Sequence, residues 1–270
     1  MTAAGGKYGD FFGDVWGNTY MVAENLFSMN TFFGNSGGVA ETHKNIYSKN
    51  YNSDGWVVKV DDPTGYDALT KMPSLEGMRA TDSYPVPAVL YSAVTEIWDG
   101  GSVIPQKGGD GSSADKAIEI HTASEFAGIF STSNGCGNGK YYKLMNDIYL
   151  NDIDAINWES GAASTGYTVS SWASPAFRGT LDGNGHVVYG LYSDKKPDAY
   201  TESYDNESGV GLICEDWYNA PVTFKNMGLD NVYFNGPHSV GGFVANARGS
   251  VGVTFDSCYT GENVTLPALR

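Results

Sequence analysis

At 270 residues with a formal net charge of −15, the chain is long enough for one large solenoid or two modest domains. The acidic balance excludes nucleic acid and anionic membrane surfaces as natural partners, because both need clustered Lys and Arg. Abundant Gly and 13% aromatic residues exclude a disordered composition, and no apolar run approaches the roughly 20 residues that span a bilayer.

The chain opens on Met1-Thr2-Ala3-Ala4-Gly5-Gly6, which has neither the basic start nor the apolar centre of a signal peptide. Met1 therefore reads as an initiator on a chain that begins inside a repeat. The segment from Gly9 to Ser28 aligns without gaps on the segment from Gly241 to Thr260. Gly, Phe and acidic positions recur in register, as a true repeat requires. Thr42 to Tyr51 reads as a short helix or an irregular loop. Trp56 to Val60 reads as a strand stopped by Asp61-Asp62-Pro63. The prolines of Tyr84 to Leu90 suit a strand at an edge or end of a unit.

Residues 98–116 are rich in Gly and Ser and read as a linker. It separates the closing part of one repeat unit (1–97) from the opening part of the next (117–270). In an alternative reading, both pieces pack as one domain. Beyond the linker, Ala117 to Ile120 predicts a strand running into a short helix. Thr122 is its N-cap, Glu125 sits at the capping-box position, and Phe126 and Ile129 share the apolar face. Tyr141 to Leu150 predicts the first full strand, and the irregular segment 151–176, with two Trp, reads as an insertion.

The richest stretch follows: Phe177-Arg178-Gly179-Thr180-Leu181-Asp182-Gly183-Asn184-Gly185-His186, then Val187 to Tyr192. Asp-Gly and Asn-Gly mark a tight corner between two strands. Further short strands follow at 211–213, 222–227, 232–234, 240–244 and 251–259. Bulky apolar positions recur roughly every 17 to 22 residues, about one coil of a parallel β-helix.

This stretch, with Lys225-Asn226-Met227-Gly228-Leu229 and Val240-Gly241-Gly242-Phe243-Val244, resembles the GLUG-motif repeats of large bacterial surface and secreted proteins. Such repeats occur in adhesins and in the stalks of IgA-specific metallopeptidases. The resemblance implies an all-β, right-handed, pectin-lyase-like parallel β-helix with a short capping helix. It also implies an extracellular or cell-surface setting, neighbouring repeats of the same polypeptide as partners, and usually no catalysis in the repeat itself.

Candidate chemistry is sparse. His186 lies in a corner beside Asp182, and an Asp–His pair can do acid–base work; the bland alternative is a histidine that satisfies backbone groups at the turn. If the chain were an enzyme, a glycoside hydrolase or polysaccharide lyase would draw on Asp182, His186, Glu215 and Asp216, since glycoside hydrolysis needs two facing carboxyl groups. His43, His121 and His238 show no zinc spacing. Cys136, Cys214 and Cys258 are too few for a disulfide framework, and Cys214 and Cys258 are expected to stack in the core two coils apart.

A sugar-binding face is the second reading. Trp158, Trp172, Trp217 and Tyr218 would stack on a polysaccharide or host glycan. Asp152, Asp154 and Glu159 would bind hydroxyls or Ca²⁺, the one cofactor considered. The same rings could instead roof the apolar end of the solenoid. The leading expectation is a structural or adhesive repeat module that spaces or presents other domains.

Overall fold

The computed structural model describes residues 96–195, 209–215, 221–236, 239–247 and 252–267. Before them it describes the backbones of seven strands: Lys7–Gly9, Phe12–Val15, Met21–Ser28, Thr42–Ser48, Val58–Lys59, Met78–Arg79 and Val86–Pro87. The described chain is all-β, with most strands paired in parallel and one short α-helix.

The principal ladder stacks Ile118–Ile120, Lys140–Leu144, Gly179–Asp182, Val222–Lys225 and Val253–Asp256, all in parallel. Its register puts Ile118, Tyr142, Leu181, Phe224 and Phe255 in one rank. All five side chains are buried. Phe224 stacks on Phe255 at 5.7 Å between ring centroids, and each buried ring adds about 1.5–3 kcal/mol of hydrophobic stabilisation. Strand alternation turns the neighbouring rank outward: Thr180, Thr223 and Thr254 are half-buried.

The sequence distances between successive members of that rank are unequal. The step from Ile118 to Tyr142 is the shortest and the step from Leu181 to Phe224 the longest. The even coil expected from the apolar spacing is therefore not what the chain forms. The strands hold their register while the connections vary, because backbone pairing fixes only the paired residues and surface connections tolerate extra length. Shorter ladders run alongside. Ile148–Tyr149, Val187–Tyr189, Gly228–Asp230 and Tyr259–Thr260 form one. Tyr192–Asp194, Val232–Asn235 and Val264–Thr265 form another.

The corners between ladders repeat. Asn184, Asn226 and Ser257 all have φ near +50°, a left-handed conformation that Asn adopts more readily than most residues. The Asn226 amide nitrogen also donates to Asp182 Oδ1 at 3.0 Å, tying one corner to the next. At Gly228 a Cβ would lie 2.3 Å from the Tyr259 ring, so the absence of a side chain lets that tyrosine fold over the corner.

One end of the principal ladder is closed by α1 (Ala123–Ile129). Thr122 Oγ1 accepts from the Glu125 backbone N–H at 3.1 Å, and Glu125 Oε2 accepts from the His121 N–H at 2.7 Å. This is the expected cap, except that the carboxylate reaches the residue before the N-cap. Phe126 and Ile129 are fully buried beneath it.

The stretch 98–116, read as a linker, belongs to this cap. Lys107–Gly108 pairs antiparallel with Ile118–Ile120, and the Tyr141 N–H donates to the Gly111 carbonyl. The Val103 N–H bonds the Ser124 carbonyl, so 97–104 crosses the helix as a strap. At Gly128 a Cβ would fall 1.9 Å from the Val103 carbonyl oxygen. Glycines that look like linker composition thus allow backbone to pass close to backbone, and the hairpin covers what would be an open strand edge.

Strands from the start of the chain pair with later ones: Met21–Ser28 extends the principal ladder, and the two before it join two further sheets. Lys7–Gly9 pairs with Ser239–Gly241, Phe12–Val15 with Val244–Ala247, and Met21 to Glu24 with Val253–Asp256. Thr42–Ser48, expected to be helix or loop, is a strand parallel to Met21–Ser28. Of the strand expected at 56–60 the described part is Val58–Lys59, the other positions lying outside the described residues, and Val86–Pro87 pairs antiparallel with Met78–Arg79. Cys214 and Cys258 do not stack: Cys214 lies in Ile213–Glu215, which pairs with Val244–Ala247, whereas Cys258 follows Val253–Asp256 in the principal ladder. The uneven steps between rungs break the two-coil spacing.

Candidate functional site

The insertion 151–176 is fixed at its base by Asn151, whose side chain is fully buried. Its Nδ2 donates to the carbonyls of Ser170 and Gly190 at 2.9 and 2.8 Å. Its Oδ1 accepts from the Ser170 N–H and the Tyr167 hydroxyl at 2.8 and 3.2 Å. Every hydrogen-bonding position of the amide is used, so both ends of the insertion are tied to one side chain.

Of the two readings open for the aromatic rings, burial is the one that Trp158 and Trp172 follow. Trp158 is 7% exposed and packs with Ile156 and Tyr233 in a small second core, its Nε1–H donating to the Ile153 carbonyl at 2.8 Å. Trp172 is 3% exposed beneath the cap, edge-on to Trp98 and Phe130. Burial of large rings outweighs display of them here, since each ring hides apolar area the insertion and the ladder end would otherwise expose. Neither offers a face to a pyranose. Trp217 and Tyr218 lie outside the described residues.

The acidic candidates are held in local turns. Asp152 Oδ1 accepts from the Asp154 N–H at 3.0 Å, and the Glu159 N–H donates to Asn157 Oδ1 at 3.1 Å. Asp154 and Glu159 are exposed, and Asp152 is half-buried. Among the described residues, no group of three or more His, Cys, Asp and Glu side chains could hold a metal ion.

His186 does not pair with Asp182. Its Nδ1 lies 3.1 Å from Asp147 Oδ1, a carboxylate one rung earlier that also accepts from the Val187 N–H. The two side chains are 9% and 1% exposed, and Asp147 Oδ2 has no hydrogen-bond partner among the described residues. Sequence reasoning missed Asp147 as the partner because it is distant along the chain and only the rung register brings it close. Asp182 instead forms an ion pair with Lys225 Nζ at 3.1 Å and accepts from the Asn184 N–H. Glu215 falls on a strand of a different ladder from Asp182, and Asp216 lies outside the described residues. Asp182 and His186 are therefore not brought together: His186 is enclosed with Asp147, and Asp182 is bound to lysine.

Of the other histidines, His121 pairs with Glu119 through Nε2 at 3.0 Å. His43 falls on the strand Thr42–Ser48, and His238 lies outside the described residues. Burial pushes the Tyr142 hydroxyl above the ordinary tyrosine range. Burial and the nearby Asp194 charge do the same to Tyr192 and Tyr233, which stack at 5.3 Å. Burial also pushes the Cys258 thiol far upward, which makes it an inert core residue and not a nucleophile.

No helix among the described residues is long and apolar enough to cross a membrane. No family model matches the chain, and no solved structure matches it. Among curated proteins, halomucin of Haloquadratum walsbyi is 25% identical over 139 residues, which is 51% of this chain and 1% of that relative. The chain thus spans a very small part of halomucin's length, and a likeness to a segment of that protein is what the comparisons establish.

Proposed function

We propose that the chain is an extracellular structural module, folded as a right-handed parallel β-helix, that spaces or presents other parts of a surface or secreted protein. The observation that carries this reading is the single inward rank of Ile118, Tyr142, Leu181, Phe224 and Phe255, held in register across five parallel strands. Stacking of that kind serves extension, because each rung packs on its neighbours and contributes its rise to length. The resemblance of 177–192 to surface-protein repeats, the likeness to halomucin and the net charge of −15 all favour an extracellular setting. A glycan-binding role through Trp158 and Trp172 finds no support, since both rings are buried.

Two measurements on the purified chain test the proposal: small-angle scattering, and a glycan-array screen with and without calcium. The expected result is an elongated scattering profile and no saturable glycan binding. A compact, near-spherical profile, or saturable binding to one polysaccharide, would replace the spacer reading.

A further inference from the structure

We propose that the coil carrying Lys7–Gly9, Phe12–Val15 and Met21–Ser28 docks not only on its own chain but on a second copy, joining copies head to tail. Four strand pairings carry the idea. Tyr8 lies beside Val240, Phe12 beside Val244, and Met21 to Glu24 beside Val253 to Asp256; Phe27 lies beside Tyr259. Every one of these pairs has the same separation in sequence as Gly9 and Gly241. That is also the offset at which the two segments align as sequence repeats. The early strands therefore sit on their counterparts in 239–260 as one repeated coil sits on the next, in each of these ladders.

Coils of a stack fit because the upper face of one matches the lower face of its neighbour. Here the coil that stacks on 239–260 precedes it in sequence, and Thr42–Ser48 and Val58–Lys59 stack in turn beyond Met21–Ser28. The acceptor edge, made of Ser239–Gly241, Val244–Ala247 and Val253–Asp256, recognises a coil of its own kind. Its complement is carried at the opposite end of every copy's sequence. Donor and acceptor are different surfaces, so the contact is heterologous, and exchange between copies extends into chains or rings.

The tether permits exchange. From Val58–Lys59 the polypeptide must return to the bridge between Ile97 and Tyr149, six strands back along the ladder order, or about 29 Å at roughly 4.8 Å per strand. The intervening segment 60–96 reaches several times that distance when extended, at roughly 3.3 Å per residue. Docking within one chain is favoured by a roughly millimolar effective concentration. Refolding of concentrated protein is therefore where exchange between copies competes.

The test uses full-length chains with Cys136→Ser and Cys214→Ser, one carrying Val22→Cys and the other Thr254→Cys. Val22 and Thr254 are register partners, and adjacent parallel strands bring Cα atoms within disulfide range. The two chains are unfolded, mixed, refolded at high concentration and oxidised. Exchange yields a covalent heterodimer as a major species, and its yield falls at least tenfold when refolding is done at hundredfold dilution. The chain carrying both cysteines closes an internal disulfide at that dilution. An internal disulfide without any heterodimer at high concentration overturns the proposal, and so does failure of both bonds. Neither of those failures touches the spacer reading, which rests on scattering and glycan binding.

Discussion

Trp172 Nε1 donates to the carbonyl of Leu212 at 2.8 Å, between positions far apart in sequence. The bond fastens the end of the insertion to the strand region behind it, with the indole buried under α1 against Phe126 and Phe130. Trp172→Ala is expected to cost about 3–5 kcal/mol, as for other buried large rings, measured by urea unfolding. Trp172→Phe keeps most of the packing and leaves the Leu212 carbonyl unpaired, for about 1–3 kcal/mol. Equal, small losses in both variants would show that the ring is not a core element.

Asn151 makes a sharper case because four bonds converge on one amide. Asn151→Ala leaves the Ser170 N–H and the Gly190 carbonyl without this partner, at about 1–3 kcal/mol for each buried group left unpaired. Both ends of the insertion lose their common anchor. Limited proteolysis is therefore expected to cut first within 151–176 in the variant and not in the parent chain.

Gly128 sets helix propensity against the strap. Ala is favoured over Gly in a helix by about 1 kcal/mol, yet a methyl group there collides with the Val103 carbonyl. The collision is with backbone, so the strap must move. Gly128→Ala is expected to lower the melting temperature and to open 97–113 to protease. A more stable, equally resistant variant would remove the strap from the cap.

Lys225 stands between Asp182 and Asp256 in the principal ladder and holds Asp182 at 3.1 Å. Both partners are partly exposed, so the pair itself contributes no more than about 1 kcal/mol. Lys225→Glu places three acids on adjacent strands, and like charges directly opposite are destabilising. The expected loss exceeds that of Lys225→Gln at low salt and shrinks toward it as salt is added; unfolding curves at two ionic strengths decide it.

Tyr142, Tyr192 and Tyr233 all have hydroxyls raised above the ordinary tyrosine value of 10.0. The folded state thus holds these protons more tightly than the unfolded state. Their contribution is intact below about pH 10 and is lost as pH rises through the raised folded values. Stability is expected to fall on the alkaline side. Ultraviolet titration should show a late class of phenolates that ionise as the protein unfolds. Tyrosines that all titrate together near the ordinary value in the folded chain would contradict this.

Much of the ladder was legible because alternation and corner chemistry are local. Thr180-Leu181-Asp182, Thr223-Phe224-Lys225 and Thr254-Phe255-Asp256 show their inward and outward ranks in the sequence, and the Asn and Gly corners mark where each strand stops. The cap of α1 was equally local, since Thr122 and Glu125 lie within one helical turn. The register of the early strands was legible too, from the repeat of Gly9 to Ser28 at Gly241 to Thr260; what failed were particular side-chain partners between rungs. Asp147 as partner of His186 and the separation of Cys214 from Cys258 depend on which rung neighbours which, and uneven connections hide that. Composition misled at 98–116, where Gly meant close approach of backbones and not freedom.

The uneven steps along the principal ladder separate two quantities that are tied together in an ordinary domain. The long step from Leu181 to Phe224 and the shorter one from Phe224 to Phe255 each advance the stack by one strand, about 4.8 Å. Reach is counted in rungs; in the step from Tyr142 to Leu181 the surplus residues form the insertion 151–176 beside the ladder, with its own small core around Trp158. A lineage of such chains can vary what it displays to its surroundings, by lengthening or trimming a connection, without altering how far it extends.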